Sequence, residues 1–573
     1  MKNLTKYIII ISVFTAIVSC DTIFEPIDEN RLDFEFVSTD PASAEGILLN
    51  GYSRLVDQFG FTEVATDDAV HNQLNNDLKN IAQGGLNAQS NPAATSRWNN
   101  FESILWINKF LEIINAGEIA WSPNEEINEM FYMRMEGEAL ALRALHHYYI
   151  LQAHAGIGTS GQLLGVPYLT EFIESSGNFN TPRLSFEATV QAIMADFDAA
   201  LALLPTDYSD DPGAVDPVYQ QYDFDNYQVV NGSFYNLRIS GRIVRALKAR
   251  VALFAASPSF LNDQGYYNMA ATDASELLNT IGGVSGLVAN GAEYYKTYNE
   301  DDDAEMIWRG NIQGSPSSAV ERRQFPPSVN GDGDVNPTQN FVDAFPMQSG
   351  FPATTANGYD PQDPYSNRDP RLTEYVVVNG SSYGGGTINT GVGGGIDRLD
   401  SIPEFSTTTG YYLKKTLHPG VRLNDDGSSV GQRHYDVYFR YTELFLIFAE
   451  AANEVGGPDQ AINGMSARDV IAAIRERAGL DQPDSYLASI TTKEAMRELI
   501  RNERRLELSF EGHRFWDLRR WGVSLNETAS GYFFNGTEYI DIPSVESRSF
   551  PTLYMPIPNN EVLRFDIEQN AGY

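Results

Sequence analysis

Several local patterns place reactive side chains at spacings that known chemistries use. Gly380-Ser381-Ser382-Tyr383-Gly384 has the G-x-S-x-G spacing of a nucleophile elbow and follows a strand-like run of valines. An elbow needs a helix directly after its serine, which sharpens the turn and exposes the hydroxyl. More glycine follows here, so the segment reads as a loop. Asp332, Asp334, Asn336 and Asp343 mimic the ligand spacing of a calcium loop and form a candidate calcium site. Pro337 stands where such a loop needs glycine, and flanking helices are lacking, so a solvated acidic turn is the alternative. His146, His147 and His154 fall on one predicted helix at steps of one and seven. A zinc pair needs two histidines four apart on one face and a further ligand, so these read as core or rim residues. Carboxylates are too numerous to single out a glycosidase pair, which is defined by its separation across a cleft. No catalytic residue and no cofactor emerges, with calcium left as the one candidate.

Sugar binding makes a different demand. It wants an aromatic platform for apolar C–H faces and Asp, Asn, Gln or Arg for the hydroxyl rim. Two stretches outside strong helical patterns supply that mixture. One holds Asp67, Asp68, His71, Asn72 and Asn75, followed by Arg97 and Trp98; the other holds Tyr294, Tyr295, Tyr298 and Trp308, with Arg368 further on. The expected ligand site therefore uses Trp98, Tyr295 and Trp308 for stacking, with Asp67 and Arg368 as hydrogen bonders. For each residue alone, the alternative is a buried aromatic or a capping acid.

The elements that must position these residues are mainly amphipathic helices. Ile104, Ile107, Leu111 and Ile114 recur at three- and four-residue steps, which places them on one helical face. A long helix is predicted over Phe131 to Ala153, with Gly137, Ala139, Ala141 and Ala144 permitting close approach of a neighbour. Val190, Ile193, Met194, Phe197, Leu201 and Leu204 form another stripe, with Ser185 as N-cap and Pro205 as stop. Val244, Leu247, Val251 and Phe254 form a third, closed by Ser257-Pro258; Tyr441 to Ala452, Ile471 to Arg477 and Thr492 to Phe510 complete the helical pattern. Helices joined by turns suggest tetratricopeptide-like pairs, but long insertions break the 34-residue period. Residues 300 to 435 carry Pro326-Pro327, Asp369-Pro370 and two triple-glycine runs; this region reads as loops with minor β segments such as Tyr375 to Val378.

The N-terminus sets the expected compartment. Lys2 and Lys6 precede a short apolar run from Tyr7 to Val18, and the chain's single cysteine, Cys20, follows Ile17-Val18-Ser19. The run is too short for a permanent span, and the pattern describes an export signal over residues 1–19. Cys20 then resembles a lipobox cysteine that is acylated, with residues 20–40 as a tether to a membrane. The 573 residues carry a net charge of -36, which argues against nucleic acid, since phosphate binding needs clustered Lys and Arg. The acidity suits neutral ligands better than polyanions.

One Arg-rich stretch carries a specific resemblance. Arg501-Asn502-Glu503-Arg504-Arg505-Leu506-Glu507-Leu508 leads into Phe510-Glu511-Gly512-His513-Arg514-Phe515-Trp516-Asp517-Leu518-Arg519-Arg520-Trp521-Gly522, and Tyr554-Met555-Pro556-Ile557-Pro558 lies near the end. These segments, with Arg368-Asp369-Pro370-Arg371 and Tyr441 to Asn453, resemble the SusD/RagB family of outer-membrane nutrient-binding lipoproteins. The resemblance implies one domain over 41–573, with a helical scaffold over about 41–300 and 436–525 and a loop-rich insertion over about 300–435. It also implies a lid on a SusC-like TonB-dependent transporter that captures oligosaccharides, or sometimes peptides, without chemistry. Within the signature, Glu503, Arg504, Glu507 and Glu511 can pair at i, i+4 steps, and Gly512 can end the helix in a left-handed conformation. The segment therefore reads as a structural staple rather than a ligand contact. A surface-anchored glycoside hydrolase and a helical scaffold that binds only proteins are the competing readings.

Overall fold

The computed structural model describes residues 38–298 and 304–573. The expected export signal, Cys20 and nearly all of the expected tether lie outside the described residues. Helix α1 (Pro41–Leu49) begins where Asp40 caps it, its Oδ2 accepting from the Ser43 amide at 2.8 Å. There follow α2 (Asn100–Ala116), α3 (Glu125–His154), α4 (Phe186–Leu201), α5 (Gly241–Ala256) and α6 (Gln264–Asn279). Short helices α7 (Ala319–Gln324) and α8 (Gln339–Ala344) sit in the loop-rich part, α9 (Tyr441–Gly456), α10 (Ala467–Arg477), α11 (Lys493–Glu507) and α12 (Arg514–Trp521) follow, and a short helix, Asn559–Phe565, lies near the C-terminus. Successive helices pack side by side: α1 on α2, α2 on α3, α3 on α4, and α5 between α4 and α6. Across the loop-rich excursion, α6 packs on α9, which in turn carries α10 and α11. The fold is mainly α, in tetratricopeptide-like pairs whose period the insertions interrupt.

Local chemistry sets these boundaries. Ser185 Oγ accepts from the Ala188 amide at 3.1 Å and starts α4, and α5 stops before Ser257-Pro258, where the pre-proline residue leaves helical space. At Gly137 on α3 a β-carbon would stand 2.8 Å from Leu204 Cγ, so glycine lets the chain after α4 come in close. The facing stripes merge into one core running from Ile107 and Leu142 through Phe197 and Leu247 to Phe448. A second core, around Phe341, Phe345, Tyr375, Phe510 and Phe515, lies beneath the loops.

Three expectations change. Residues 50–99 are not helical scaffold but short turns, one strand and brief helices, because the apolar spacing there never sustains a helical face. That strand, β1 (Ala69–His71), belongs to one of several two-stranded sheets, whose other strands include β2 (Met306–Arg309), β3 (Val335–Pro337), β4 (Val437–Arg440), β5 (Ala529–Phe534) and β6 (Tyr539–Glu546). β1 pairs antiparallel with β3, His71 opposite Val335; β2 pairs with β4 and β5 with β6. The G-x-S-x-G segment is a hairpin, Ser381–Tyr383 pairing with Gly386–Ile388, so its serine has no following helix.

The Arg-rich segment organises the interior differently from the expected i, i+4 ladder. Glu503 accepts from Arg371 at 2.9 Å and Arg475 at 2.8 Å. Glu507 accepts from Arg371 at 2.9 Å and Arg477 at 2.8 Å, and Glu511 from Arg440 at 2.7 Å and Lys415 at 2.7 Å. Their positions face the core, where a carboxylate must fill its lone pairs from several donors, and one neighbour on the same helix does not suffice. Helix α11 ends at Glu507, and Phe510 (φ 58°) as well as Gly512 (φ 79°) takes left-handed geometry in the link to α12.

Candidate functional site

The Asp57–Asn76 loop and α7 with β3 face each other across a groove of about 340 Å³. The β1–β3 ladder fixes the two walls, and Asn76 caps the short helix Asp77–Asn80 through the Lys79 amide at 3.0 Å. On one wall Phe59 and Phe61, both half-buried, meet edge to face with centroids 6.5 Å apart. Phe61 is held left-handed at φ 42°, a costly state for an aromatic residue that persists only when its surroundings enforce it. On the other wall Arg323 donates from Nε to Asp334 Oδ2 at 2.9 Å while 61% of its side chain stays exposed. Gln73 Nε2 reaches Asp334 Oδ1 at 3.1 Å, and Leu74 stands largely in solvent beside them.

The electrostatics are those of a neutral, hydrogen-bonding rim. His71 Nδ1 accepts from the Gln73 amide at 3.1 Å, and burial, then Arg323 and Lys79, lower its pKa to about 4. It is therefore a neutral imidazole at pH 7. Burial raises the Asp334 carboxyl while its bonds to Arg323 and Gln73 pull the other way. Aromatic edges next to a guanidinium and an amide give a surface that can stack a sugar ring and bond its hydroxyls.

The five residues expected to hold ligand are not gathered at this groove. Trp308 is 2% exposed, its Nε1 donating to Leu237 O at 3.1 Å, and Tyr295 is 1% exposed against Tyr294. Their large apolar faces are worth more in the core than on a rim. Arg368 is buried and clamps the carbonyls of Pro364, Val342 and Phe345 at 2.7–2.9 Å. Asp67 lies between Arg505 and Arg514, 2.9 Å from each; burial raises its carboxyl, but those guanidiniums outweigh burial and hold it below the usual range. Trp98 is half-buried, edge-on to Phe101 and His154 at 4.9 and 5.0 Å. The calcium candidates also serve other partners: Asp334 pairs with Arg323, Asn336 Nδ2 donates to Gly333 O, and Asp343 accepts from Gln339 on its own helix. Among the described residues no group of three or more His, Cys, Asp or Glu is placed to hold a metal. His146, His147 and His154 are buried and bonded to backbone carbonyls. Of the groove's lining, Phe59, Phe61 and Arg323 do not stand out in the sequence as candidates; the aromatic-Gly-aromatic step Phe59-Gly60-Phe61 outside any helical stripe is the available signal.

The profile of the SusD family matches residues 292–573, and a second profile, described as starch-binding and associating with the outer membrane, matches residues 24–215. The chain belongs to the SusD family. A SusD-like protein of Formosa agariphila is 22% identical over 539 residues, 91% of each chain. Among solved structures, a SusD-like protein from Bacteroides fragilis is 25% identical with a TM-score of 0.71, over 95% of this chain and 99% of that one. A laminarin-binding SusD-like protein is 20% identical with a TM-score of 0.58, over 93% of this chain and all (100%) of that one, and shares the fold. In this SusD family member the Arg501–Gly522 signature faces the interior, as its buried ion pairs require.

Proposed function

We propose that this SusD family protein is a lipid-anchored receptor on the outer-membrane surface. It captures an oligosaccharide in the Phe59–Arg323 groove and passes it to a SusC-like TonB-dependent transporter, for which it acts as lid. The carrying observation is the groove itself, where half-buried aromatic edges face an exposed guanidinium anchored by Asp334. Family membership and the laminarin-binding neighbour support a carbohydrate as ligand, and the outer-membrane description of the second profile supports the location. Acylated Cys20 supplies the anchor; among the described residues no helix is long and apolar enough to cross a membrane. Capture rests on stacking and hydrogen bonds, with no bond broken and no cofactor needed.

A glycan array followed by calorimetry on the protein starting after Cys20 tests this reading. Phe59→Ala and Arg323→Ala should each weaken a bound neutral oligosaccharide by about 1 kcal/mol or more, roughly fivefold. Unchanged affinity in both variants refutes the groove. Release of shortened products from the oligosaccharide would instead establish the hydrolase.

A further inference from the structure

A second cavity, of about 350 Å³, lies between α3, α5, α9 and the link from α11 to α12. It opens to solvent beside Gly60, Ala93 and Ala94, which are exposed. Most charges on its walls are paired. Arg250 Nε donates to Glu443 Oε1 at 2.8 Å, Arg504 Nε to Asp517 Oδ2 at 2.8 Å, and Arg520 grips Glu450 at 2.5 and 2.7 Å. Glu511 is held by Arg440 and Lys415.

Arg97 differs. It is 8% exposed, its guanidinium lies 4.6 Å over the Trp516 ring and 5.4 Å over Tyr149, and Nη1 donates to the neutral amide of Gln152. No described carboxylate pairs with it, and burial pushes its pKa down to about 10. A buried guanidinium without a counter-charge is destabilising, and its backbone is also held left-handed at φ 52°. Three buried donors on this wall have no hydrogen-bond partner among the described residues: Arg97 Nε, Arg504 Nη1 and Trp516 Nε1. Trp516 and Arg504 are each 5% exposed. Asp57 also lines the cavity without an ion-pair partner among the described residues, its Oδ1 taken up by the Phe59 amide; the three unsatisfied donors and the unpaired Arg97 charge still favour an acceptor that brings negative charge. A cation or a donor-rich ligand would add to the imbalance.

We propose that this cavity is an oxyanion site, in which Arg97 Nε, Arg504 Nη1 and Trp516 Nε1 hold the oxygens of a carboxylate, sulfate or phosphate group. Guanidinium forks match such groups in geometry as well as charge. Tyr148, Tyr149 and Phe254 supply flat walls for a ring carrying the group, and cavities of this size accept a small ligand. The cavity adjoins the groove across Gly60, which lines both, but Arg97, Arg504 and Trp516 line only the cavity, and the proposal does not depend on neutral oligosaccharides binding in the groove.

The test is calorimetry and thermal melting of the protein at pH 7 with sodium glucuronate, sulfate or phosphate, against sodium chloride at equal ionic strength. At least one oxyanion should bind and raise the melting temperature beyond chloride. Trp516→Phe keeps an aromatic face under Arg97 but removes the indole N–H together with the pyrrole part of the ring, and should raise that Kd about tenfold. Arg97→Met should abolish binding and raise the melting temperature of the anion-free protein, because the unpaired charge is gone. Tighter glucuronate than sulfate or phosphate identifies an acid carried on a sugar, and the reverse order identifies the inorganic ion; either supports the site. No oxyanion response above chloride, or one that Trp516→Phe leaves unchanged, overturns the proposal, and this second arm holds even if Arg97→Met fails to fold.

Discussion

Glu507→Gln isolates the buried ionic junction with almost no change of shape. Glu507 is fully buried, and its two oxygens each accept from a different guanidinium, Arg371 at 2.9 Å and Arg477 at 2.8 Å. Burial raises its carboxyl, but Arg477, Arg371, Arg440 and Lys415 outweigh burial and bring it from 4.5 to about 2. That lowering corresponds to about 3 kcal/mol of preference for the ionised folded state. The amide keeps one acceptor and turns a donor towards an arginine, so the loss should reach about 3–5 kcal/mol, the cost of breaking a buried pair. Glu498→Gln is the control: its carboxylate is 74% exposed at 3.5 Å from Arg501, and should cost less than about 1 kcal/mol. Urea unfolding of both variants and the parent at pH 7 gives the comparison without adding salt. The sign with pH is fixed. Because the folded pKa is depressed, the contribution is present above about 4.5 and is lost as pH falls towards about 2, so parent and Glu507→Gln should converge there. Equal losses in the two variants, or a Glu507→Gln deficit that stays constant from pH 7 to pH 3, would refute the reasoning.

Glu63 titrates in the opposite sense. Burial raises its carboxyl from 4.5 to about 7, and its Oε2 has no partner among the described residues. Stability tied to the protonated form is present below about 4.5 and lost as pH rises through about 7, so Glu63→Gln should be about 2 kcal/mol more stable than the parent at pH 8 and no more stable at pH 4, read by urea midpoints. Gly137→Val places atoms where a β-carbon already meets Leu204 at 2.8 Å, and should cost about 1–3 kcal/mol in thermal or urea unfolding. Gly46→Ala, at an exposed position of α1 with nothing within 4 Å, should instead add about 0.5–1 kcal/mol.

The helices were legible because their signals are local. The Ser185 cap and the Ser257-Pro258 stop each depend on neighbours within a few residues and stand in the structure, and the stripe expected from Val190 to Leu204 stands as far as Leu201, where the helix ends ahead of the expected Pro205 stop. The signature segment was legible as a staple but not in its wiring, since Glu503, Glu507 and Glu511 draw partners from residues 371 to 477. Aromatic composition misled most. Trp308 and Tyr295 carry the same side chains whether they face a sugar or the core, and only packing against β4 and Tyr294 decides which. The proposed groove sits on the loop whose polar residues Asp67 and His71 stand out in the sequence, yet the surface it offers is the adjacent Phe59–Phe61 turn with Arg323, about 260 residues away in sequence.

The pairing of Asp68 with Arg505 spans 437 residues of chain. At roughly 5–20 residues per second, a ribosome needs about 20–90 s to supply the second partner after the first. Until then the N-terminal loop holds acids that its own neighbourhood leaves without cations, and stays better hydrated than buried. Such delay keeps this part of the nascent chain open until the C-terminal arginines arrive and the fold locks.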